Sequence, residues 1–149
     1  MSVEGNIKFS SAEVNLVLHA TEDGRKVLQG IQGVLHLPPE RFSSSTSEGH
    51  HKNKIVLLKA ILSSHEAGSL ASRIISLLNA SDRELLSRSV GQYFDEKGNL
   101  YLRLDKQRVC YGTLSLSETD AIRIRFRPVK RYKQSDSGQT YSNLFAQSN

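Results

Sequence analysis

The segment Ala121-Ile122-Arg123-Ile124-Arg125-Phe126-Arg127 alternates apolar and cationic side chains without a break. A period of two is the signature of a half-buried β-strand, whereas the faces of a helix repeat about every 3.6 residues. If Ile122, Ile124 and Phe126 face a core, then Arg123, Arg125 and Arg127 must stand in one row on the opposite face, about 7 Å apart. Such a strand requires a sheet with one covered face and one open face.

Other segments set this strand in an α+β frame. Ala12, Val14, Leu16, Leu18 and Ala20 alternate with Glu13, Asn15 and His19, which predicts a long half-buried strand. After the capping-type run Thr21-Glu22-Asp23-Gly24, the residues Val27, Leu28, Ile31, Val34 and Leu35 recur at helical spacing, and the Pro38-Pro39 pair ends the helix. Arg41 to Asn53 is polar and serine-rich and reads as a loop. Ile55 to Leu62 is a short apolar run, read as a buried strand, with a helical segment as the alternative. Ala67, Leu70, Ala71, Ile74, Ile75 and Leu78 mark a second amphipathic helix, and Ser81 with Glu84 forms a capping box for a short third one through Leu85 and Leu86.

The remainder is β-rich. Gln92-Tyr93-Phe94 and Leu100 to Leu104 flank a turn containing Gly98, with Phe94, Leu100, Leu102 and Leu104 inward and Tyr93, Tyr101 and Arg103 outward. Asp105 to Tyr111 makes one solvated helical turn capped by Asp105, and Gly112 lets Thr113 to Leu116 rejoin the sheet. The order β-α-β-α-α-β-β-β-β predicts a largely antiparallel sheet with helices packed on one face. Residues 1–129 read as a single α+β domain. Residues 130–149, basic and then rich in Ser, Gln, Asn and Gly, read as a disordered tail.

Charge narrows the partners. The net charge of +5 is uneven: Met1 to Ser89 holds ten Lys/Arg against nine Asp/Glu, whereas Val90 to Asn149 holds ten against six. A basic C-terminal portion suits a polyanion, since each phosphate neutralised releases condensed counterions; a solvated, solubilising surface is the alternative. The single cysteine, Cys110, cannot form an internal bridge, and no export signal or apolar run of about eighteen residues is visible, so a cytoplasmic protein off the membrane is expected.

The arginine row is the leading candidate site. Guanidiniums fork onto phosphates or stack on bases, Arg103 and Tyr101 face the same way, and Lys106, Lys130 and Arg131 extend the charge. The competing reading is edge protection, with each arginine paired to a carboxylate across the strand. In Gly49-His50-His51-Lys52-Asn53, two imidazoles and Lys52 can donate to phosphates; a third ligand at recognised metal spacing is missing, so no metal site is expected there. Phosphate-loop, dinucleotide, GxSxG and HExxH motifs are absent, and Cys110 between Val109 and Tyr111 reads as a packed small hydrophobe. These readings predict RNA binding without catalysis and without a cofactor. The alternatives are an interaction subunit that uses the open sheet face, for instance as a homodimer, and a ribonuclease built on His50 and His51.

The succession HATED with KVL at 19–28, LPPERF at 37–42, EGHHKN before the apolar run ending at 62, NLYLRLDKQ at 99–107 and AIRIRF at 121–126 resembles the archaeal RNA-binding proteins described as predicted exosome-associated subunits. The resemblance covers about residues 7–129. It implies a fold like that of the large-subunit ribosomal protein that contacts 5S rRNA, and a role beside RNA-processing proteins. The family pattern falls on Thr21-Glu22-Asp23, Gly49-His50, Asn53 and Lys106-Gln107, and Lys52 stands where relatives carry glycine.

Overall fold

The computed structural model describes residues 8–48, 54–129 and 134–146. Its elements are β1 (Phe9–Leu18), α1 (Gly24–Leu35), β2 (Ser43–Glu48), β3 (Lys54–Leu62), α2 (Ser64–Leu77), α3 (Ala80–Arg88), β4 (Leu100–Asp105), α4 (Lys106–Cys110), β5 (Ala121–Pro128) and α5 (Gln134–Ala146), with short 3-10 turns at Pro39–Arg41 and Val90–Gln92. The class is α+β: a five-stranded antiparallel sheet in the order β2-β3-β1-β5-β4, with helices packed on one face.

The alternating segments fold as their periods demand. On β1, Ala12, Val14, Leu16 and Leu18 are buried, while Ala20 lies past the strand end and is exposed. On β5, Ile122, Ile124 and Phe126 are buried. Helix α1 starts where Asp23 accepts hydrogen bonds from the Arg25 and Lys26 amides. It ends at Leu35, because His36 takes a left-handed conformation (φ 60°) and closes the helix before the prolines are reached.

Several expectations are corrected. Ser43–Glu48 is a strand, not a loop: it pairs antiparallel with β3 from Ser43↔Lys59 to Glu48↔Lys54, so backbone ladder bonds hold a segment with no apolar pattern of its own. Strand β3 is buried on one face only, through Leu58, Ala60 and Leu62, because β2 covers its edge and nothing among the described residues covers Leu57 and Ile61. The capping box belongs to α2, where Ser63 and Glu66 bond each other's backbone amides; α3 is capped by Asn79, two residues before the expected Ser81. The expected strands at 92–94 and 113–116 shrink to single bridges, Phe94↔Leu100 and Leu104↔Leu116. Composition also predicts a disordered tail over residues 130–149, outside the core. Instead Gln134–Ala146 is helical and buries Tyr141, Leu144 and Phe145.

The chain divides into two compact units. One comprises Met1–Ala12, Leu62–Leu102 and Arg125–Asn149, the other Glu13–Ile61 and Arg103–Ile124. In the first, α3 packs on α5, Phe9 lies 5.0 Å from Phe126 between ring centroids, and Tyr141 sits between Phe94 and Phe145 with its hydroxyl donating to the Gly98 carbonyl. In the second, α1 packs on α4 so closely that a Cβ at Gly30 would stand 2.7 Å from the Val109 carbonyl oxygen and 2.9 Å from Cys110 Cα. Both obstacles are backbone and cannot swing aside. Gly30→Ala is therefore expected to cost about 1–2 kcal/mol net in urea unfolding, since overpacking outweighs the helix propensity that alanine adds. Gly33→Ala, on the same helix with open space around it, is expected to be neutral or stabilising.

Candidate nucleic-acid interface

Strand β5 carries the arginine row as its period requires: Arg123 and Arg127 are exposed and Arg125 is half-buried. Its neighbour in the sheet, β4, repeats the arrangement, with Leu100, Leu102 and Leu104 buried and Tyr101 and Arg103 exposed. The competing reading of an ion-paired edge fails for three of these cations. Among the described residues no carboxylate stands within 4.0 Å of Arg103, Arg123 or Arg127. An outward guanidinium without a carboxylate partner offers its donors to water or to an incoming anion.

Tyr101 is held. Its hydroxyl donates to Asp95 Oδ2 at 2.8 Å, and the same carboxylate accepts from the Lys97 and Asn99 amides at 2.9 Å each and from Asn99 Nδ2 at 3.1 Å. Gly98, at φ 86°, supplies the left-handed residue this turn needs. Burial pushes the Asp95 carboxyl up, but the bonds from Tyr101, Asn99 and Lys97 outweigh it and hold the group below 3.8. Burial, and then the bond to Asp95 and its charge, raise the Tyr101 phenol above 10.0, against an opposing pull from the Arg125 guanidinium. The Asp95 contribution to stability is present above 3.8 and lost as pH falls through the lowered value; that of Tyr101 is present below 10.0 and lost as pH rises through the raised one.

Lys106 requires correction. Expected on a solvated turn facing RNA, it is 2 % exposed. Asp105 caps α4 as foreseen, but the first residue of the helix points inward, where Lys106 Nζ donates to the Val17 carbonyl (2.7 Å), Glu22 Oε1 (2.8 Å) and Asp120 Oδ1 (3.0 Å). Glu22 Oε1 also accepts from the His19 amide, and His19 Nε2 lies 3.4 Å from Asp120 Oδ1. His19, Glu22 and Asp120 are close enough together to ligate a metal, yet the Lys106 ammonium already supplies the cation between the two carboxylates. The segments HATED and LDKQ thus meet in a structural clamp.

Cys110 is half-buried, and burial raises its thiol above the ordinary value, which disfavours the nucleophilic thiolate. His50, His51, Lys52, Lys130 and Arg131 lie outside the described residues. Lys59 on β3, 3.9 Å from Glu13, is a further outward cation, set inside an apolar run whose composition predicts a buried strand. Among the described residues no helix is long and apolar enough to cross a membrane.

A family model described as RNA binding matches residues 11–127. The RNA-binding protein PAB1135 of Pyrococcus abyssi is 29% identical over 129 residues, covering 83% of this chain and 84% of that protein. The uncharacterized protein MJ0213 of Methanocaldococcus jannaschii is 25% identical over 119 residues, covering 76% and 80%. Among solved structures, the DUF54 protein AF2318 of Archaeoglobus fulgidus superposes with a TM-score of 0.78 at 27% identity, covering 92% of this chain and 99% of that one. Mth689 of Methanothermobacter thermautotrophicus, another DUF54 protein, has a TM-score of 0.72 at 23% identity over 93% and 98%, and speaks for the fold alone.

Proposed function

The chain belongs to the RNA-binding family whose model spans residues 11–127, and from that membership we propose that it is a non-catalytic RNA-binding protein whose open sheet face holds the sugar–phosphate backbone. The observation that carries this reading is that the outward guanidiniums of Arg103, Arg123 and Arg127 have no carboxylate partner among the described residues. Phosphates exchange the hydration of these guanidiniums for charge-assisted bonds and release counterions. Lys130, Arg131 and the His50-His51-Lys52 segment belong to the proposed contact region by charge alone. Lys106 does not, because its ammonium is already taken.

In this reading the protein serves in the cytoplasm as an accessory in RNA processing or exosome-linked degradation, beside RNA-processing proteins. The reading includes kinship of its fold with the ribosomal protein that contacts 5S rRNA. No step of it calls for a cofactor.

Anisotropy titrations of labelled RNA over a range of salt concentrations test the proposal. Log affinity is expected to fall linearly with log salt, and Arg123→Ala combined with Arg127→Ala is expected to flatten that slope by about one to two and weaken binding about tenfold or more at low salt. Identical slopes for the double variant and the wild type remove the arginines from the interface. The exposed Leu57 and Ile61 on β3, the latter 64 % accessible, favour a second reading, an interaction subunit that self-associates through this face. Light scattering decides it: a monomer at micromolar concentration excludes a dimer as the working form.

A further inference from the structure

Resting on the RNA-binding reading above, we infer that Tyr101 is a pre-set stacking platform for an unpaired base, so that the RNA this face takes is single-stranded rather than duplex. Tyr101 is 41 % exposed on the outward side of β4, between the buried Leu100 and Leu102. An exposed tyrosine on a strand is ordinary, and its free hydroxyl usually faces water. Here the hydroxyl is committed to Asp95, and Asp95 is itself fixed by three further donors from Lys97 and Asn99. What the side chain offers to solvent is therefore ring surface, in one orientation.

That arrangement is suited to stacking. A base stacked on an aromatic ring gains affinity from that contact, and a ring already immobilised does not lose rotamer freedom on binding. The Arg125 guanidinium, also in this compact unit, lies close enough for its charge to act on the phenol. A phosphate attracted by the exposed Arg127, on the strand beside β4 and in the same compact unit, would bring its base toward the ring. In a duplex the bases are stacked on each other and their faces are closed to a side chain, whereas an unpaired nucleotide presents its face freely.

The test compares a short single-stranded oligoribonucleotide with a blunt duplex of the same sequence, on the full chain. Tyr101→Ala is expected to weaken single-strand binding about tenfold, the size of one stacking contact, with little change for the duplex. The slope of log affinity against log salt stays the same, since no phosphate contact is lost. Tyr101→Phe keeps the ring and loses the tether, and is expected to bind the single strand within about threefold of wild type. If Tyr101 only braced the Asp95 turn, phenylalanine would fail as alanine does, and that result overturns the inference. So does an equal loss on both RNAs, or no loss on either; these leave the RNA-binding reading intact as long as the arginine variants change the salt slope. A wild-type chain that binds neither RNA removes both.

Discussion

Tyr141→Ala is expected to destabilise the protein by about 4 kcal/mol, read as a lower midpoint in urea unfolding. Tyr141 is fully buried in its compact unit, its ring 5.8 Å from Phe94 and 6.4 Å from Phe145. Truncation leaves a cavity lined by rigid aromatic neighbours and removes the donor that satisfies the buried Gly98 carbonyl. Tyr141→Phe separates the two losses: it keeps the ring, and about 1 kcal/mol is expected from the orphaned carbonyl. Were residues beyond 129 an unstructured tail, both substitutions would be silent. The experiment thus decides where the folded domain ends.

Lys106→Met is expected to cost about 3–5 kcal/mol, because it removes one partner from a buried ion pair while keeping the aliphatic stem. Three acceptors lose their donor, and their fates differ. Asp120, half exposed, turns to water; Glu22, 18 % exposed, and the Val17 carbonyl are left with far less access to it. Adding Glu22→Gln to the variant is expected to recover part of the loss, since a neutral amide is cheaper to leave in that place than a carboxylate. RNA affinity per folded molecule, and its salt slope, are expected to stay unchanged. A drop in slope of one unit would instead restore Lys106 to the interface.

These two predictions concern residues whose roles the sequence conceals, for different reasons. The periods of β1, β5 and α2 were legible because each element buries one face and so writes its geometry into every second residue, or every third and fourth. Helix α5 had such a signal as well, in Tyr141, Leu144 and Phe145 at helical spacing, but a polar composition masked it. Strand β2 had none: its serines are held through β3, and a strand defined by its partner has no pattern to read. Lys106 reads as solvated in the sequence because its carboxylate partners lie 84 and 14 residues away, a separation that only the fold closes. Of two runs matching a capping box, Ser63 to Glu66 precedes the stronger apolar stripe and forms it, whereas Asn79 pre-empts Ser81. As for the candidate interface, the arginine row follows from strand period alone. The tether that fixes Tyr101 depends on a turn geometry at Asp95 and Gly98 that sequence spacing only hints at.

Strand β2 ends the sheet with six side chains that all remain in water. Peeling it from β3 forfeits a ladder of backbone bonds and almost no hydrophobic contact, so its detachment is cheap compared with any rearrangement of the buried strands. The molecule thus has a hem that can come loose and be restitched while the cloth behind it stays whole.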